Sequence, residues 1–157
     1  MARKAYDYAL YLLAARGYTA RNLRRKLTQK KYESEEVEAV MTRLIDAGLL
    51  DDARYAREYA RQKLVSGAVS VRRIRRELSV KGISQELARA ATDEVMADEP
   101  VDIQKSIETA ARKKLASMGD LPADVKRRRV FAFLARRGFE LDDIKRAVEL
   151  LELRTTY

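Results

Sequence analysis

Residues 19–44 read TARNLRRKLTQKKYESEEVEAVMTRL, and their apolar pattern returns without gaps at 70–95 and again at 126–151. Laid over one another, the three windows match Leu23 with Ile74 and Val130, and Leu27 with Leu78 and Leu134. Further on, Val37 falls with Ala88 and Ile144, Val40 with Ala91 and Ala147, and Leu44 with Val95 and Leu151. The first two columns lie four residues apart and the last three at steps of three and four, the spacing that gathers apolar side chains on one stripe of a helix. Between them Tyr32, Ile83 and Phe139 share a column in the turn, where a large side chain can plug the space between two helices. Gly82 and Gly138 directly follow the first helix of their pairs, the place for a left-handed residue, and Lys31 stands there in the first copy. The window therefore spells helix, turn, helix, three times over.

A further amphipathic stretch precedes each pair. Residues 2–16 carry Tyr6, Ala9, Leu10 and Leu13; 52–64 carry Tyr55, Ala56, Tyr59 and Ala60; 101–118 carry Ile103, Ile107, Ala110 and Leu115. Only 6 Gly and 2 Pro interrupt a chain of 157 residues, and they fall between these stretches. The expected fold is all-α: about nine helices in a tandem array of three three-helix repeats, elongated and curved, with boundaries at 1–48, 49–99 and 100–157. Thr19, Ser70 and Asp124 are the expected N-caps of the middle helices, since their side-chain oxygens can accept an otherwise unpaired backbone N–H. A three-helix unit of about 45 residues is marginal alone, so neighbouring repeats are expected to share buried surface.

The composition excludes several chemistries. With no Cys and no His, thiol nucleophiles, imidazole catalysis, disulfides and the usual zinc and haem ligands have no residues to work with. At 46% hydrophobic and 36% charged the chain is too apolar to stay disordered. It has no phosphate-cradling glycine loop. The carboxylate pairs Asp51-Asp52 and Asp142-Asp143 stand where helices start, and capping is their expected work. The expectation is a protein that is no enzyme and has no catalytic residue, metal or cofactor. No apolar run approaches a membrane span or an export signal, so it reads as cytoplasmic and free of membranes, and without a sustained heptad seam it reads as a monomer.

Charge is more telling than its net value of +9. The first middle helix carries Arg21, Arg24, Arg25, Lys26, Lys30 and Lys31 without an acid; the second carries Arg72, Arg73, Arg75, Arg76 and Lys81 against Glu77. The third carries Lys126, Arg127, Arg128 and Arg129, then Arg136 and Arg137, against Asp124. In the last helix of every repeat acids outnumber bases. Such segregation can serve attraction between neighbouring helices or solubility. With Leu23 and Leu27 facing inward, however, steps of 100° turn Arg21 and Arg25 to solvent, and Arg72 and Arg76 repeat those places, with Arg128 continuing the first column and Ala132 interrupting the second. An arginine row repeated over three modules suits a polyanionic backbone or an acidic protein groove. The candidate contact residues are Arg21, Arg24, Arg25, Arg72, Arg73, Arg76, Lys126, Arg127, Arg128 and Arg129. Among the aromatics most fall on apolar stripes, leaving Tyr11, Tyr18 and Tyr157 as the rings expected to be free.

The ordered set of Leu23-Arg24-Arg25-Lys26-Leu27 with Lys30-Lys31-Tyr32, Gly48-Leu49-Leu50-Asp51-Asp52-Ala53-Arg54-Tyr55-Ala56, Arg72-Arg73-Ile74-Arg75-Arg76-Glu77-Leu78 with Lys81-Gly82-Ile83, and Phe133-Leu134-Ala135-Arg136-Arg137-Gly138-Phe139 resembles the RecX family of bacterial recombinase regulators. Each motif alone is weak; their order over nearly the whole chain is specific. The resemblance implies a non-enzymatic regulator of RecA, a curved array that lodges in the groove of the RecA filament and suppresses ATP hydrolysis, strand exchange and the co-protease activity behind the SOS response. It also implies binding to single- and double-stranded DNA. Where the family typically has an aromatic-Gly-Pro run, this chain has Val69-Ser70-Val71, so a serine cap stands in for the fixed φ of proline. The competing expectation is a direct, largely sequence-independent DNA binder acting through the basic middle helices.

Overall fold

Ala, Leu, Arg, Lys and Glu, the strongest helix formers, build nine α-helices in the computed structural model, which describes residues 4–67, 69–99 and 102–154. Among the described residues there is no strand. The helices are α1 (Ala5–Ala15), α2 (Ala20–Gln29), α3 (Ser34–Asp46), α4 (Asp52–Val65), α5 (Val71–Val80), α6 (Gln85–Asp98), α7 (Ile103–Ala116), α8 (Ala123–Arg136) and α9 (Leu141–Arg154). They form three tandem three-helix units, α1–α3, α4–α6 and α7–α9.

The repeated apolar columns are the cores. Leu23, Leu27, Val37, Val40 and Leu44 are buried in the first unit with Met41, Leu50 and, from α1, Ala5 and Ala9. Ile74, Leu78, Ile83, Ala88, Ala91 and Val95 fill the second, and Val130, Leu134, Phe139, Ile144 and Ala147 the third. Tyr32 and Leu151 are half-buried against their clusters. The three cores are separate, and every extensive helix packing joins helices of one unit. Buried surface shared between units is confined to the helix ends and turns, as at the fully buried Thr19. Each trio turns its repeated apolar columns inward, which leaves mainly helix ends to meet between units.

Local chemistry sets the boundaries. Thr19 Oγ1 accepts from Asn22 N–H at 3.3 Å, Ser70 Oγ from Arg73 N–H at 3.2 Å and Asp51 Oδ1 from Arg54 N–H at 2.9 Å, each satisfying an orphan donor of a first turn. The bond from Arg54 N–H, with help from the neighbouring Ala53 N–H and against the upward push of burial, holds the Asp51 carboxyl below the usual carboxylate range. The expected cap at Asp124 is not observed: α8 begins one residue earlier, behind Pro122, and Asp124 pairs with Arg128 at 3.1 Å instead. Proline fixes an extended entry but has no side chain to cap with.

Candidate interaction surface

The middle helices meet end to end. Thr19, the N-cap of α2, is fully buried, and its hydroxyl donates to the carbonyl of Lys81, the C-cap of α5, at 2.7 Å. Beside it Ala20 N–H donates to Asp52 Oδ1 at 2.8 Å, so Asp52 caps α2 across the junction while its neighbour Asp51 caps α4. One unit on, the N–H of Ser70, the N-cap of α5, donates to the carbonyl of Arg137, the C-cap of α8, at 3.1 Å, and the Arg73 guanidinium donates to the Arg136 carbonyl. The negative end of α8 thus faces the positive end of α5, and that of α5 the positive end of α2.

These contacts explain the glycines and their exception. Gly82 holds φ +94, and a Cβ there would stand 2.5 Å from Cδ and 2.6 Å from Cβ of Arg21. Gly138 holds φ +83 with Ser70 Oγ 2.7 Å from the same imagined atom. Both sites need an absent side chain as well as left-handed backbone. Lys31 has φ 64 in the same column of the repeat, but α2 is the last helix of the series and, among the described residues, no further unit packs on its C-terminal end.

The structure divides the predicted arginines into two groups. Arg21, Arg25, Arg72 and Arg76 are exposed and, among the described residues, carry no ion pair or hydrogen bond; Arg21 is held by its stem over Gly82 while its guanidinium is free. Lys126, Arg127 and Arg129 on α8 are likewise unpaired. Arg24, Arg73 and Arg128 are engaged. Arg24 Nε lies 2.7 Å from Glu38, and this hydrogen bond holds the Glu38 carboxyl below the usual range. Arg73 Nε lies 2.9 Å from Glu77. Arg75, not among the candidates, pairs with Asp93 at 2.6 Å and donates to Thr92 Oγ1 at 2.8 Å. Attraction between basic and acidic helices is therefore real, but within a unit and through few residues.

One polar network escaped the sequence reading. Tyr59 of α4 donates to Glu77 Oε2 at 2.6 Å while Arg73 holds the other carboxylate oxygen and reaches on to α8. Burial pushes the Glu77 carboxyl up, but the hydrogen bonds from Tyr59 and Arg73 and the charges of Lys63 and Arg73 outweigh it and leave it below its ordinary value. Burial and then the same hydrogen bond push the Tyr59 phenol up. A tyrosine 18 residues away from its acid, on another helix, gives no local signal. Of the rings expected to be free, Tyr11 is 56% exposed, although it stacks on Tyr8 at 6.4 Å. Tyr18 is not free: it is buried, with the Arg16 guanidinium 4.7 Å above it. It sits just before the Thr19 cap and shares a core with Leu23, the positions of a hydrophobic staple. Tyr157 lies outside the described residues.

Among the described residues no group of three His, Cys, Asp or Glu side chains could hold a metal ion, and no helix is long and apolar enough to cross a membrane.

Comparison with known proteins adds to this geometry. Residues 5–44 match the family model for the first three-helix domain of RecX, 51–91 that for the second and 102–148 that for the third. The chain is 36% identical over 148 residues to the regulatory protein RecX of Trichlorobacter lovleyi, covering 92% of this chain and 93% of that one. It is 35% identical over 146 residues to that of Vibrio vulnificus, covering 90% and 89%. The crystal structure of RecX from Lactobacillus salivarius superposes with a TM-score of 0.73 at 24% identity over 96% of both chains, a likeness of fold.

Proposed function

This chain belongs to the RecX family of regulatory proteins, and on that premise we propose that it binds the RecA filament on single-stranded DNA and lowers its ATPase, strand-exchange and co-protease activities, acting in the cytoplasm as a monomer and without catalysis of its own. The observation that carries the proposal is the unpaired set Arg21, Arg25, Arg72 and Arg76, held in register on α2 and α5 by the buried Thr19–Lys81 junction. Guanidinium groups with no internal acid are available to phosphate or carboxylate, and their spacing is fixed before binding, which spares the cost of ordering them. Lys126, Arg127, Arg128 and Arg129 extend this surface onto α8, with Arg128 exchanging Asp124 for the partner.

The test is the ATPase rate of RecA preassembled on single-stranded DNA, titrated with this protein at two salt concentrations, beside its binding to the same DNA naked. Inhibition at protein well below RecA, with naked DNA uncovered, is the expected result. A variant with Arg21, Arg25, Arg72, Arg76 and Arg128 all changed to Glu should lose inhibition at unchanged helicity; inhibition equal to the parent's overturns the surface assignment.

The second reading, a direct binder of single- and double-stranded DNA, is favoured by the same free guanidiniums. It requires inhibition only when the protein saturates the strand. Its signature is salt dependence: if the four unpaired arginines of α2 and α5 each meet a phosphate, removing them flattens the log–log slope on single strands by about 3.

A further inference from the structure

Between the second and third units, α5, the end of α8 and the start of α9 enclose an open groove of about 880 Å³ with Tyr59 at its side. Two chemistries meet in it. Arg72 and Arg76 project from α5 without internal partners, and Lys81 and Arg136 add charge at the helix ends. Two acids share these walls: Glu77 is already held by Tyr59 and Arg73, and Glu140, just before α9, is outnumbered by Arg72, Arg76, Lys81 and Arg136. On the same walls stand Val80, 74% exposed, and Leu141, 55% exposed, the first being more open than any other large apolar side chain described. Two such side chains facing one basic groove are an unsatisfied apolar surface with a charged surround, the pattern of an interaction site.

A nucleic-acid strand answers only half of this pattern. Phosphates would pair with Arg72 and Arg76, but a sugar–phosphate backbone has no aliphatic side chain to set against Val80 and Leu141. Stacked bases would need an open ring, and that of Tyr59 is stacked on Tyr55 at 6.2 Å with the ammonium groups of Lys63 and Lys81 within 5.5 Å. A polypeptide rich in Asp or Glu, with an aliphatic side chain among them, answers both halves at once: carboxylates to the guanidiniums and the aliphatic group to Val80 and Leu141. We propose that this groove docks an acidic protein segment bearing an aliphatic side chain. The proposal rests on the filament reading above and specifies the chemistry by which the protein part of the filament is gripped, leaving the strand to the outer arginines.

The test uses the full chain with Val80 and Leu141 both changed to Ser, substitutions at open positions whose effect on the fold is checked by far-ultraviolet circular dichroism and the urea midpoint. Binding is measured to the RecA filament and to the same single strand without RecA. Filament affinity should fall by about tenfold or more while naked-strand affinity stays level. A direct arm titrates a labelled synthetic peptide of glutamates interrupted by leucines, and the same peptide with serines for leucines, against the parent protein. The leucine peptide should bind the parent and neither the double variant nor R76E, and the serine peptide should bind weakly. Equal filament binding by parent and double variant, or equal binding of the two peptides, overturns the proposal. An equal fall for filament and naked strand also overturns it and makes the groove a nucleic-acid site. So does a fall in self-association by sedimentation with filament binding unchanged, which makes a second copy of this chain the occupant. If the parent binds no filament at all, the filament reading fails separately, and the peptide arm still decides the groove.

Discussion

Replacing Gly82 by Ala, with Gly48→Ala as its control, separates the two demands placed on a glycine at a junction. Gly48 has φ +65 and open space where a Cβ would go, so alanine there meets only the left-handed backbone, about 1–2 kcal/mol. Gly82 has φ +94 and would place its Cβ against Cβ, Cγ and Cδ of Arg21 at 2.5 to 3.0 Å. The near atoms belong to the root of that side chain, so the α2 N-terminus has to move as well. That movement lengthens the 2.7 Å bond from Thr19 to the Lys81 carbonyl, leaving a buried hydroxyl and carbonyl poorly paired, roughly 1–3 kcal/mol more. Because the units have separate cores, amide exchange is the assay: G82A should lower protection at the α2 start and α5 end by the larger amount, and G48A only around the α3–α4 turn. The Thr19→Val change should add little to G82A, since both break one contact. Equal losses for the two glycine variants, or full additivity of T19V and G82A, would refute the junction.

Truncation of Leu78 to Ala removes a fully buried side chain of the second core and should destabilise that unit by about 2–5 kcal/mol, read as lost amide protection in α4–α6 with α1–α3 and α7–α9 largely spared. Glu77 makes the tie between the second and third units pH-dependent. Its carboxyl lies below the ordinary 4.5, so its contribution is present above that value and is lost as pH falls through the lowered one; E77Q should abolish this acid sensitivity, read by carboxyl chemical shifts and by exchange at the α5–α8 junction. Arg24→Ala, which removes an exposed pair with Glu38, should leave filament inhibition unchanged where R25E weakens it, both followed in the ATPase titration.

The sequence made the helices and their inward faces readable because the apolar columns recur three times, so each assignment was checked by two others. Thr19 and Ser70 were readable as caps since a cap is local. What could not be read was the second bond of the Thr19 hydroxyl, to a carbonyl 62 residues away. The same holds for Tyr59 and Glu77, which lie on different helices. Asp124 misled because an acid in a first turn looks like a cap unless the proline before it is taken as the true boundary. The size of a unit points to buried surface shared with its neighbours, but only the structure shows that this surface lies at the helix ends while each trio keeps its own core. The arginine surface was legible as a period, but which guanidiniums are free depends on acids too: Glu77 and Asp124 lie four residues from Arg73 and Arg128 on the same helices, whereas Glu38 and Asp93 reach Arg24 and Arg75 only once the units are assembled.

The end-to-end contacts of the middle helices also give the molecule a sense of direction. Along the series α8, α5, α2 every peptide unit runs the same way while the chain itself advances in the opposite order. One terminus of the series is Pro122, which has no hydroxyl to offer, and the other is Lys31, where the inner units have glycine. A molecule built this way is an arrow with dissimilar tip and tail. On a track whose two directions are themselves distinct, one heading matches and its reverse does not.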